Sequence, residues 1–188
     1  SITCHVARPC QSCAAGAAQL WQGRATWQGI DSPGGDWAPA APTGHLIHDT
    51  LTARLHPGQA CAALAAAIRA KGGEIVSDGR AEGQVVHATG WQGLEEMTAG
   101  HSRLVGAGIK GQAVLLAHDA AALPQLFVDG LHIVPHADGT VAVGSTTERD
   151  FDNPDATDAH CDALLASARA AVPALAEAPE IRRWAGVR

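Results

Sequence analysis

The sequence predicts an α+β fold in which helices and strands are mixed and the sheet is largely antiparallel. Three observations carry this expectation. Leu131–Pro135 and Thr140–Gly144 flank Asp138-Gly139, a pair suited to the positive φ of a hairpin turn. Amphipathic helical patterns begin near Pro57 and near Asp158. Short apolar runs at 84–88, 111–117 and 181–187 have strand length and alternate along the chain with those helices.

In chain order, residues 1–44 hold Trp21, Trp27 and Trp37 and read as irregular or short-strand segments around a Pro/Gly-rich loop, Asp31 to Gly44. Pro57 suits a first helical turn, where its missing N–H costs nothing. Ala60, Leu64, Ala67 and Ile68 then recur at helical spacing as a core-facing stripe, and Gly72-Gly73 ends the helix. Glu74 to Val76 reads as a short strand. Gln84 to Ala88 reads as another, running into Thr89-Gly90, and Gly111 to Ala117 as a third. In the hairpin, period-2 alternation puts His132 and Val134 on one face and Leu131 and Ile133 on the other. Residues 150–158 form an acidic loop. The helix from about Asp158 to Ala171 carries Leu164, Leu165, Ala168 and Val172 as its apolar stripe, and Pro173 stops it. Ile181 to Val187 is a strand, with Trp184 expected in the core.

Composition excludes several classes of function. With 188 residues, 46% hydrophobic and 17% charged, the chain can bury roughly 70% of its unfolded surface, enough for one substantial core or two small ones. A formal charge of −6 with ordinary apolar content argues against disorder. No apolar run approaches the roughly 20 residues of a membrane span. The 13 Lys+Arg stand against 19 Asp+Glu, so no nucleic-acid partner is indicated. Self-association is left open. Five cysteines, an odd number, do not suit a disulfide framework, so a reducing, cytoplasmic setting is expected. Cys10-x2-Cys13 has chelate spacing but no second ligand pair follows, and no metal is expected. The chain opens at Ser1 and closes at Arg188 within strand-like sequence, which reads as a piece of a longer protein.

Gly106-Ala107-Gly108-Ile109-Lys110-Gly111 matches G-x-G-x-x-G. A dinucleotide site needs a buried strand before these glycines and a helix after them. His101 to Val105 is short and polar, and 111–117 reads as a strand, so a chance match at a strand entry is the preferred reading. The rival, a small NAD-binding domain, requires a helix at 110–120. No nucleophile–base arrangement is visible. Asp152-Asn153-Pro154-Asp155 lacks the glycine and distal Glu of a calcium loop and reads as solvated.

Leu131-His132-Ile133-Val134-Pro135, Asp138 to Glu148, and Arg183-Trp184-Ala185-Gly186-Val187-Arg188 together resemble the flavin-dependent amine and amino-acid oxidases of the D-amino-acid oxidase family, in its glycine oxidase-like branch. Leu55-His56-Pro57, Val85 to Gly90 and Lys110-Gly111-Gln112 fall in the order and rough spacing of that family, so the likeness covers about 45–188. It implies a substrate-domain sheet lying over a flavin, joined to partial segments of an FAD-binding α/β domain. The expected division is 1–44 unassigned, 45–94 a partial FAD-domain segment, 95–183 the substrate-binding domain and 184–188 the start of a return to the FAD domain.

The resemblance also implies site residues. Arg188 would bind the substrate carboxylate; a planar guanidinium offers a carboxylate two parallel N–H bonds. His132 would face the substrate in a catalytic role, against the plainer reading of a histidine on a sheet face. Ala88, Thr89 and Gly90 would contact FAD where a glycine lets backbone approach closely. Lys110, Gly111 and His45 are further candidates near the flavin, with His48 beside them. The expected function is part of a FAD-dependent oxidoreductase that oxidises a small amine or amino acid by hydride transfer. The chain by itself is expected to be inactive and not to retain FAD. The alternative is a non-catalytic or degenerate substrate-domain module that binds no flavin.

Overall fold

The structure is a computed structural model that describes residues 4–7, 19, 22–40 and 44–188. It forms two compact units, one of 1–54 with 109–188 and one of 55–108. The expected division therefore shifts. Residues 45–54 belong with the first unit, the expected 94–95 boundary falls inside a helix, and 184–187 are integral to a sheet strand.

The larger unit is built on one eight-stranded sheet. Its strands are β1 (Cys4–Ala7), β2 (Trp27–Asp31), β3 (His45–Asp49), β4 (Lys110–Ala117), β5 (Gln125–Val128), β6 (Leu131–Pro135), β7 (Thr140–Gly144) and β8 (Glu180–Val187). Their spatial order is β2-β3-β1-β5-β6-β7-β4-β8. β1 and β5 run parallel and every other neighbouring pair runs antiparallel. The predicted α+β class, its hairpin β6–β7 and the strands at 110–117 and 180–187 are all present. The strand at 110–117 disposes of the NAD-binding reading of the glycine motif, which needs a helix there.

Alternation sorts the side chains of this sheet into two layers. Leu126, Ile133, Val143 and Val114 lie in one cross-strand row, and none is more than 1% exposed. The helix Ala159–Ala171 covers this face with Cys161, Leu164, Leu165 and Ala168. Its predicted stripe is thus buried as expected, and Pro173 starts a 3-10 turn, Pro173–Leu175, whose Leu175 completes the core. The next row, Phe127, His132, Gly144, Ala113 and Trp184, points to the opposite face. Trp184 is therefore not the core aromatic that the sequence suggested. It is 36% exposed, with the Arg182 guanidinium 5.1 Å from its ring centre.

Two sheet strands, β3 and β5, were not anticipated, and β1 and β2 fall where only unspecified short-strand segments were expected. Trp37 ties the Pro/Gly-rich loop down, donating from Nε1 to the Pro124 carbonyl at 2.9 Å. The Cys10-x2-Cys13 pair lies outside the described residues.

The smaller unit contains α1 (Pro57–Ala70) and α2 (Gly90–Ala99); the helix over the sheet, Ala159–Ala171, is α3. His56 caps α1 by accepting from the Gln59 N–H. Gly72, at φ +81°, closes it: Gly73 N–H bonds the Ile68 carbonyl and Gly72 N–H the Arg69 carbonyl, a Schellman closure. The apolar stripe of α1 does not face a core, however; Leu64 is 65% and Ile68 45% exposed. Residues 74–76 and 85–88 form no strand, and Gln84 lies in a bend. A strand exists only through its ladder, and among the described residues nothing pairs with them. α2 was missed altogether, its GWQGLEEMTA carrying two glycines that weaken the helical signal.

Candidate functional site

β4 enters the sheet with Lys110 and Gly111 on opposite faces, and the two sides do different things. On the face away from α3, Gly111 opposes Gly186 of β8. A Cβ on Gly111 would stand 2.5 Å from Arg188 Nη1. The guanidinium thus lies in the space that a missing side chain leaves. Arg188 is fixed at its backbone by reciprocal bonds with Ile109, 2.8 and 3.0 Å. Its Nη1 donates to Ser145 Oγ at 3.4 Å and its Nη2 to Thr147 Oγ1 at 3.3 Å.

Both partners of that guanidinium are neutral hydroxyls. Among the described residues no carboxylate pairs with Arg188, whereas Arg183 is held by Glu180 and Asp162 at 2.7 Å each. Arg188 therefore presents an uncompensated positive charge on an open sheet face, oriented by contacts that leave its charge to an incoming anion.

His132 lies on that same face, two strands from β4, or roughly 10 Å at the usual strand spacing. Its ring leans on Phe127, centroids 4.7 Å apart and planes tilted 48°. His132 is exposed and lines neither of the two cavities described below.

On the α3 face stands a buried polar cluster. Lys110 is 3% exposed, with Nζ 3.6 Å from Glu148 and 3.8 Å from Asp158. Gln112, fully buried, donates through Nε2 to Glu148 at 3.0 Å and to Asp158 at 2.8 Å, and accepts the Asp158 N–H at 2.9 Å. Asp158 is also the N-cap of α3, accepting the His160 N–H. Its carboxyl is held down to about 2, chiefly by the Gln112 bond and then by the His160 N–H. For Glu148, burial pushes the carboxyl up, but hydrogen bonds from Thr146 and Gln112 and the Lys110 charge outweigh it, so it too ends low. Glu148, Asp158 and His160 offer ligand atoms within 4.8 Å of one another. The Lys110 ammonium already supplies the cation these carboxylates need.

A cavity of about 270 Å³ opens beside this cluster, and a larger one of about 590 Å³ lies at Trp37 and His118, which stack at 5.9 Å. Neither includes Arg188.

The expected site residues are thus distributed unevenly. Arg188, Gly111 and His132 share one sheet face. Lys110 is turned to the other face and engaged with acids, so a flavin contact through its side chain does not fit. His45 is exposed on β3, its Nδ1 2.9 Å from Asp31 across the β2–β3 pair. In the smaller unit, Thr89 is the N-cap of α2 and makes no side-chain capping bond, and Gly90 has φ +69°. Ser145, Thr147, Glu148 and Asp158 were not named as site residues from sequence, and Gln112 was named only within the Lys110-Gly111-Gln112 segment. The polar run Ser145-Thr146-Thr147-Glu148, following an apolar strand, was the available signal.

One family model matches most of this chain, and solved structures share its fold. The profile described as FAD dependent oxidoreductase (DAO) matches residues 12–188. A glycine oxidase of Pseudomonas aeruginosa is 35% identical over 81 residues, which cover 43% of this chain and 22% of that protein. The crystal structure of glycine oxidase from Bacillus cereus superposes with a TM-score of 0.72 at 16% identity, covering 99% of this chain and 59% of that one. Glycine oxidase from Geobacillus kaustophilus gives 0.71 at 20% identity, covering 100% and 58%. The chain thus spans under two thirds of the length of these relatives, and the two structural likenesses speak for the fold.

Proposed function

The chain belongs to the DAO family of FAD-dependent oxidoreductases, and from that premise we propose that it carries the substrate-binding sheet of an enzyme that oxidises a small amino acid or carboxylated amine, with glycine or an N-substituted glycine as the first substrates to try. The observation that carries this reading is the Arg188 guanidinium, set over Gly111 by two hydroxyls and paired with no acid among the described residues.

Arg188 takes the substrate carboxylate. A bidentate guanidinium–carboxylate pair fixes direction as well as position, which orients the α-carbon and its amine relative to the sheet. Gly111 keeps that position open. His132, on the same face, would hydrogen-bond the amine end and acts in this reading as the catalytic histidine. When bound, FAD supplies the acceptor for the substrate's hydride, the chemistry these side chains cannot perform.

The groups present fit a flavin in part. Ala88, Thr89 and Gly90 lead into α2, whose first N–H groups lack a side-chain cap and suit carbonyl or phosphate acceptors. At Gly90 a Cβ would meet nothing closer than Gln92 Oε1 at 3.7 Å, so space is open beside this backbone. Gly111 also fits close approach. Lys110 does not, and His45 has only its exposure to recommend it.

The test is to express the complete reading frame that contains this chain, record its visible spectrum and assay glycine against methylamine. A flavin spectrum, with turnover of glycine that an Arg188→Met substitution lowers through KM far more than kcat, supports the reading. A well-folded, colourless protein would establish instead a module without flavin. A yellow protein indifferent to the substrate carboxylate would remove Arg188 from its role.

A further inference from the structure

We propose that residues 145–148 form a two-sided strap whose buried side, through Thr146 and Gln112, positions the Arg188 guanidinium on the other side, making Thr146 and Gln112 positioning residues of the carboxylate site. The inference rests on the carboxylate role proposed for Arg188 and adds what holds that arginine in place.

The strap follows β7 and continues along β4 toward Lys110. Lys110 and Glu148 exchange backbone bonds of 2.9 Å in both directions, and the Thr146 N–H reaches the Gln112 carbonyl at 3.2 Å. Successive side chains then go to opposite sides. Ser145 and Thr147 put their hydroxyls on the two terminal nitrogens of Arg188. Thr146 and Glu148 turn to the buried polar cluster.

Thr146 is fully used there. Its Oγ1 accepts the Gln112 N–H at 2.8 Å and donates to the Glu148 carboxylate. Glu148 is tied in turn to Gln112 Nε2 and Lys110, and Gln112 to the N-cap of α3. Gln112 therefore joins the strap, β4 and α3 with one buried amide that is satisfied at both ends. The exposed arginine is different. A long side chain bonded to two hydroxyls at 3.3–3.4 Å has weak restraints of its own. Its orientation depends on where the strap places those hydroxyls, and the strap is fixed from behind. Removing the buried bonds leaves Arg188 and both hydroxyls present but loosens their arrangement, a cost paid in bound-state ordering.

The experiment uses the complete protein that contains this chain, labelled with 15N, titrated with acetate and, as a neutral control, acetamide, and read at the backbone amide resonances of residues 145–148, which every variant retains. Thr146→Val removes both hydroxyl bonds at constant shape; Thr146→Ser keeps them. Thr146→Val is expected to weaken acetate binding about three- to tenfold, the scale of one or two lost hydrogen bonds. Thr146→Ser should stay within about twofold, with the amide signals of β6 and β7 unmoved in both. Arg188→Lys serves as the control for the underlying reading. If it leaves acetate affinity unchanged, the carboxylate role itself fails. If Arg188→Lys weakens binding while Thr146→Val matches wild type, the strap fails and the carboxylate role stands. Should Thr146→Val not fold, Gln112→Met, which removes the buried amide's bonds and leaves Arg188, Ser145 and Thr147 in place, decides. A threefold or greater loss supports the strap, and wild-type affinity overturns it.

Discussion

Arg188 and Gly111 share one place in the sheet: the guanidinium Nη1 stands 2.5 Å from the position that a Cβ on residue 111 would take. The same Cβ would lie 3.2 Å from Ser145 Oγ and from the Thr146 carbonyl. The closest of these atoms is the far end of a flexible side chain, which can move aside at little cost to folding. Gly111→Ala is therefore expected to leave the unfolding midpoint nearly unchanged and to weaken acetate binding roughly tenfold or more, as a displaced charge-assisted pair would. Isothermal or NMR titration beside a urea melt checks both halves. An unchanged affinity would mean that the guanidinium does not use this space.

Ile133 sits at the other side of the same sheet, wholly buried between neighbouring strands and α3. Ile133→Ala leaves a cavity that packed neighbours fill only in part. A loss of about 2–5 kcal/mol is expected in denaturant unfolding, and a loss under about 1 kcal/mol would show that this core is loosely packed.

Arg183 joins β8 to α3 through bonds of 2.7 Å to Glu180 and Asp162. The charges are well matched but substantially exposed, so screening discounts them. Arg183→Met is expected to cost no more than about 1 kcal/mol, with the difference shrinking in high salt. A cost equal to that of Ile133→Ala would reverse the ranking of packing over surface charge in this domain.

Acid should loosen the strap before it unfolds the apolar core. The Asp158 carboxyl is lowered from 3.8 to about 2, first by its Gln112 bond, and Glu148 is lowered from 4.5. Groups with depressed folded-state values contribute stability that is complete above their ordinary range and lost as pH falls toward the folded value. Stability should therefore decline between about pH 4.5 and pH 2. Asp158→Asn together with Glu148→Gln should flatten that slope. A double variant with the wild-type slope would assign the acid sensitivity to other carboxylates.

Much of this protein was legible locally. Pro57 and Gly72 bracketed α1, Asp158 and Pro173 bracketed α3, and alternation in Leu131 to Pro135 sent His132 and Ile133 to opposite faces. These readings depend on backbone dihedrals and on periods of two and 3.6 residues, which a short window contains. They were less secure where a partner was needed. The runs 74–76 and 84–88 have strand composition but no ladder among the described residues, and α1 has an apolar stripe that remains exposed. Trp184 has core composition but falls on the open face because Ala113, its cross-strand neighbour, does.

By itself the sequence determined the α+β class, the hairpin and the ends of two helices, and a family resemblance singled out Arg188. Only the tertiary structure decided that Lys110 meets a buried acid cluster while Gly111 leaves room for Arg188, and that Ser145 and Thr147 hydrogen-bond the guanidinium. Lys110 meets acids 38 and 48 positions away, Gly111 meets Arg188 77 positions away, and Ser145 and Thr147 lie 43 and 41 positions from Arg188. Contacts at such separation depend on strand register and on which face each element buries, and the chain fixes these only when the whole sheet closes over its core.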